Sequence, residues 1–150
     1  MITRIARWEI DHEPTLTANC YARYVGNTCQ CISCLNFRAV GIDTVFPEPF
    51  RDLAQKLGID LSKPIELAHY DHPGGPCLTG GWFHLVGRVV SGRDYYRQAN
   101  ATSWHADAEA CFGLSQFGFT EQVDLLQDSF KDHPIVQLSF ETTVPWVLKE

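Results

Sequence analysis

The segment IVQLSFETTVPWVL, residues 135–148, alternates with a period of two. Val136, Leu138, Phe140 and Val144 fall on one side, and Gln137, Ser139, Glu141 and Thr143 on the other. That pattern demands a strand with one face against a core, and a strand demands partners. Candidate partners lie along the chain. PIELAHYD places Ile65, Leu67 and His69 on one face. WFHLVGRVVSG is apolar on both faces and reads as a central strand. AEACFGLSQFGFT reads as another, and the opening ITRIARWEID puts Ile2, Trp8 and Ile10 together as one more. HPGGPCLTGG is dense in Gly and Pro and reads as a hairpin loop. Strands and helices do not alternate as βαβ units. The expected class is α+β: a mainly antiparallel sheet of about five strands, with a Cys-bearing helical insertion and one further helix on one face or end.

The helices are expected between the first strand and residue 58. In EPTLTANCYARYVG, Pro14 suits a first turn, Leu16, Cys20 and Tyr24 recur every four residues, and Gly26 suits the stop. NTCQC reads as a tight loop and ISCLNFRAVG as a second short helix ending near Gly41. FPEPFRDLAQKLG is the strongest helix, with Phe50, Leu53, Ala54 and Leu57 at i, i+3, i+4 and i+7 and Gly58 as the stop. TEQVDLLQDSF is expected to hold a short helix using Val123, Leu126 and Phe130. The 150 residues are read as one domain, 1–150.

Composition narrows the function classes. No apolar run is long enough to span a bilayer, and MITRIARWEI lacks the continuous apolar region of a signal peptide. A cytosolic setting, with no membrane contact, is the expectation. The net charge is −6; residues 101–150 carry only Lys131 and Lys149 against eight acids. No Lys/Arg cluster stands out, which argues against a nucleic-acid partner. A protein or small-molecule ligand remains the expected kind of partner.

The chemistry concentrates in CYARYVGNTCQCISC, residues 20–34, with Cys20, Cys29, Cys31 and Cys34. Disulfides are uncommon in the cytosol, so clustered thiols there lean toward metal or redox use. Four thiolates suit a tetrahedral zinc ion. Cys31-Ile-Ser-Cys34 can grip an ion from a turn entering a helix, whose positive end favours thiolates. One ion held by Cys20, Cys29, Cys31 and Cys34 would tie two short helices to a loop and offset their ordering cost. The one-residue gap between Cys29 and Cys31 is less usual for such a site. Three alternatives stand beside zinc: an iron–sulfur cluster, ranked below it because nothing suggests an electron-transfer surface; a thiol–disulfide pair of Cys31 and Cys34, lacking the usual βαβ context; and plain burial of small residues. Cys111 reads as a strand residue and Cys77 as a loop thiol.

His69, His72 and His84 would make a catalytic metal site with Asp71 nearby if their strands brought them together, but no HExxH-type pattern fixes their geometry. PGGPCLTGG lacks both nucleotide fingerprints, and GxSxG is absent. RDYYRQANATSWH is long for a structureless connection and is the candidate ligand-facing loop.

The combination CYARY…CxCxxCLNF, LGID…KP, GGWFHLVGRV and VPWVL resembles an uncharacterised family of small bacterial proteins carrying a CxCxxC cluster. The resemblance covers most of the chain. It implies a bacterial, cytosolic single-domain protein and assigns no catalytic residue. The reading is a small metal-binding domain with a structural zinc site, of binding or interaction type rather than an enzyme. The rivals are an oxidoreductase using Cys31/Cys34 and a hydrolase using His69/His72/His84.

Overall fold

The computed structural model describes residues 1–71, 76–98, 104–106, 111–112 and 115–149; at 71, 97–98, 104–106 and 111 it describes the backbone alone. The chain opens with strands β1 (Ile2–Ile5) and β2 (Trp8–His12). Helices α1 (Pro14–Arg23), α2 (Ile32–Val40), α3 (Ile42–Val45) and α4 (Glu48–Leu57) follow. Then come β3 (Glu66–Asp71), the long β4 (Cys77–Ser91), β5 (Tyr96–Gln98), β6 (Trp104–Ala106), β7 (Cys111–Phe112), β8 (Ser115–Thr120) and β9 (Ile135–Val144). Seven strands form one sheet in the order β1-β2-β4-β9-β8-β7, with β3 also on β4, while β5 and β6 pair separately. All the pairings are antiparallel. The α+β expectation holds, with more strands than expected. The opening segment is two strands, because Ala6 takes a positive φ of 51° and turns the chain. That turn keeps Ile5, Trp8 and Ile10 inward and leaves Ile2 outside.

The two faces of the sheet differ. Phe83, Leu85, Phe117, Phe119, Val136, Leu138 and Phe140 share one face by register. Phe46 and Phe50 pack onto it, stacked on each other at 4.9 Å and edge-on to Phe140 at 5.1 and 6.2 Å. The α4 stripe is as expected: Phe50, Leu53, Ala54 and Leu57 are all buried, and Gly58 stops the helix in the left-handed region at φ 80°. The opposite face carries His84, Gln137, Ser139 and Thr120, all buried. The sequence pattern placed Gln137 and Ser139 on a polar side; what covers them is Tyr96, whose hydroxyl donates to Ser139 at 2.9 Å, and the 121–133 connection. Gly118 is bare there because a Cβ would drive into the Tyr95 ring.

That connection is not the helix expected from TEQVDLLQDSF. It holds one 3-10 turn, Asp128–Phe130, and of Val123, Leu126 and Phe130 only Phe130 is buried. Leu125 has φ 56°, which an α-helix does not allow. Phe130 meets the rings of Tyr21, Tyr24 and His84 edge-on.

Helix α1 occupies a gap in the sheet. On one side β4 pairs continuously with β9; on the other it pairs with β3 up to Trp82 and with β2 from Gly87. Between them the backbone of His84 and Val86 bonds to α1 and its approach. The Tyr21 hydroxyl donates to the His84 carbonyl at 2.7 Å and accepts from the His84 N–H at 3.1 Å. The Thr17 hydroxyl accepts from the Val86 N–H at 2.9 Å, and the Glu13 N–H donates to the Val86 carbonyl at 3.0 Å. Buried backbone groups require such partners. This explains the inward set of α1, which is Thr17, Cys20 and Tyr21, with Leu16 on the outside.

Candidate metal centre

The loop before α2 is folded by local polar contacts. The Asn27 side chain accepts from the Cys29 N–H at 2.9 Å, an Asx turn. Arg38, one helix away, donates to the Cys29 carbonyl at 2.7 Å. Cys31 then stands at the N-cap of α2 in extended conformation (φ −63°, ψ 158°), and its sulfur accepts from the Cys34 N–H at 3.4 Å. These contacts bring the ligand atoms of Cys29, Cys31 and Cys34 within 4.8 Å of one another. Cys29 and Cys31 are exposed and Cys34 is buried; all three are free thiols.

The electrostatics differ across the trio. The Cys34 N–H holds the Cys31 thiol below its ordinary range. Burial, and then the neighbouring Cys29 and Cys31 sulfurs, push Cys34 well above it. Three sulfurs within 4.8 Å of one another suit a soft or borderline cation, which would relieve that raised cost by taking Cys34 as thiolate.

Cys20 is not a member of the trio. It is fully buried on α1, its sulfur lies 3.9 Å from the Arg23 guanidinium, and burial raises its thiol. Its place in the Leu16/Cys20/Tyr24 spacing reflects packing of α1.

The histidine set is not assembled. His69 pairs with Thr79, and His84 lies five residues further along β4, so the two side chains fall on opposite faces. His84 is held by Gln137 at 3.1 Å on the polar face, where burial lowers it to about 4. His72 lies outside the described residues, as do 99–103 of the candidate ligand-facing loop.

His69 instead faces the cysteines. Its Nε2 is 3.3 Å from the Cys34 sulfur, and its Nδ1 is 2.9 Å from the Thr79 hydroxyl. Cys77 is also nearby, its sulfur 3.7 Å from His69 Nδ1 and 3.3 Å from Thr79 Oγ1. Cys77, Leu78 and Thr79, read from sequence as loop, begin β4, and Cys77 is buried there. The signal for His69 was its inward register with Ile65 and Leu67; nothing local joined it to cysteines thirty-five residues earlier.

No family model, curated protein or solved structure matches the chain. Among the described residues, no helix is long and apolar enough to cross a membrane. The site therefore speaks through its own geometry.

Proposed function

We propose that this chain is a small metal-binding domain in which Cys29, Cys31 and Cys34 hold a structural zinc ion, and that its role is binding or interaction, in a reducing, cytosolic setting. The mutual approach of three free thiols within 4.8 Å carries this reading. Zinc fits because it favours thiolates and tetrahedral sites. Clipping matters here because α2 is only nine residues and exposes Ile32 and Leu35. A helix that short is marginal without tertiary support. The bacterial origin suggested by the sequence resemblance belongs to the same proposal.

Elemental analysis of untagged protein tests it. About one zinc per chain and a colourless solution are expected. Cys31→Ser should lose the metal while Cys20→Ser keeps it. Iron with visible absorption would instead mean a cluster, and metal-free protein purified from zinc-supplemented cells would sink the reading.

One observation favours a second reading. Cys31 is exposed with a lowered thiol, and Cys34 is buried with a raised one, the division of labour of a dithiol reductant. In that case the Cys31 thiolate attacks a substrate disulfide, releasing one substrate thiol. Cys34, giving up its proton, then displaces the second, leaving a Cys31–Cys34 disulfide. Turnover with a small dithiol donor, abolished in Cys31→Ser, would decide for it.

A further inference from the structure

Three sulfurs leave a tetrahedral ion one ligand short, and a structural site is closed by a fourth protein donor. From the geometry we infer that His69 Nε2 is that donor, making a Cys29/Cys31/Cys34/His69 site. The inference rests on the reading of the trio as a metal site. In such a site, with metal–sulfur near 2.3 Å and metal–nitrogen near 2.0 Å, a sulfur and a nitrogen ligand sit about 3.6 Å apart. The Cys34 sulfur and His69 Nε2 are 3.3 Å apart.

The surroundings of the ring point the same way. His69 Nδ1 meets the Thr79 hydroxyl at 2.9 Å, and that hydroxyl meets the Cys77 sulfur at 3.3 Å. A consistent chain runs from Nδ1–H to Thr79 Oγ1, and from the Thr79 O–H to Cys77. In that arrangement the Nε2 lone pair faces Cys34. Metal-bound histidines are oriented by such a contact on the other ring nitrogen.

Among the described residues, the competing thiols are placed elsewhere. Cys77 approaches His69 at Nδ1, the ring nitrogen opposite the one that meets Cys34. Cys20 belongs to α1 beside Arg23. His69 lies outside the mutual 4.8 Å grouping and meets it at Cys34. Closing the set requires the exposed Cys29 and Cys31 to draw in toward the ring.

The consequence is architectural. With three thiolates the ion would organise only the α2 entry loop. With His69 it bonds that loop to β3, across 35 residues of sequence and from the helical layer to the sheet.

Zinc X-ray absorption on the purified, unmodified chain tests this directly. The expected first shell is three sulfurs and one nitrogen. Four sulfurs, or three sulfurs with only an exchangeable oxygen, would overturn the assignment while leaving the trio as a metal site. A chain without zinc would remove both. Chelator competition adds a second readout. Thr79→Val should weaken zinc about 10–100-fold. His69→Cys should keep one zinc with a four-sulfur shell, which guards against His69→Ala merely failing to fold. Unchanged zinc affinity in both Thr79→Val and a folded His69→Ala would count against His69.

Discussion

The two faces of the sheet are built on different principles. Beneath α3 and α4 the contact is aromatic: Phe46, Phe50, Phe83, Phe117 and Phe140 meet ring to ring. On the other face, buried polar groups are held by individual hydrogen bonds, although His84 Nδ1 has no partner among the described residues. Gln137 Oε1 accepts from the Asp124 N–H at 2.9 Å, His84 Nε2 lies 3.1 Å from the same oxygen, and Gln137 Nε2 donates to Ser139 at 3.3 Å. The Thr120 hydroxyl donates to Asp94 at 2.8 Å. Burial of apolar area is non-directional, so many sequences would fill the first face. A hydrogen-bonded face is particular, since each missing partner leaves a desolvated group behind. The first face supplies stability, and the second fixes which loop lies where.

That contrast sets an order of expected effects. Phe50→Ala opens a cavity in the aromatic face and should cost about 3–5 kcal/mol in denaturant unfolding. A much smaller loss would mean that the layer collapses to fill the gap. Next comes acid. Burial holds His84 neutral in the folded chain, at about 4 against an ordinary 6.5. Between those values the unfolded chain binds a proton that the folded chain does not, so stability falls as pH drops from 6.5 toward 4. The full effect is about 3 kcal/mol. It should appear as the part of the pH slope that vanishes in His84→Gln. His12, also lowered chiefly by burial, acts in the same direction and supplies part of the remaining slope.

Gln137→Leu keeps bulk but strips the Asp124 N–H and His84 of their partner, for about 1–3 kcal/mol. Amide exchange should show the loss concentrated in the 121–133 connection; an evenly spread loss would mean that this face is held by burial after all. Smallest is Leu126→Ser. Leu126 is about half exposed, so the change should stay within about 0.5 kcal/mol. A large effect would show that the connection does pack through its leucines.

Much of the aromatic face was legible from the chain alone. The period of two in residues 135–144 and the i, i+3, i+4, i+7 stripe of α4 each name their buried side. The polar face was not, because Gln137 and Ser139 look like solvent positions until Tyr96 and Asp124 arrive from distant segments. The same reason governs the metal centre. Cys29, Cys31 and Cys34 are legible as a local group. Cys20 shares their neighbourhood in sequence, yet the period of α1 turns it toward a different contact. His69 is recruited by the pairing of β3 with β4, and that register is invisible before folding. The TEQVDLLQDSF expectation went astray because three apolar residues at helical spacing do not suffice when Leu125 takes a positive φ.

Helix α1 stands where a strand would otherwise pair with β4, and two hydroxyls and one amide do the pairing. The helix is therefore also a guard. While it is seated, the His84 and Val86 backbone is spoken for; once it lifts, β4 presents unpaired donors and acceptors in the middle of an apolar strand, a template for another chain's edge. The seating of one ten-residue helix thus keeps that stretch of β4 covered, and Tyr21 and Thr17 are the latch.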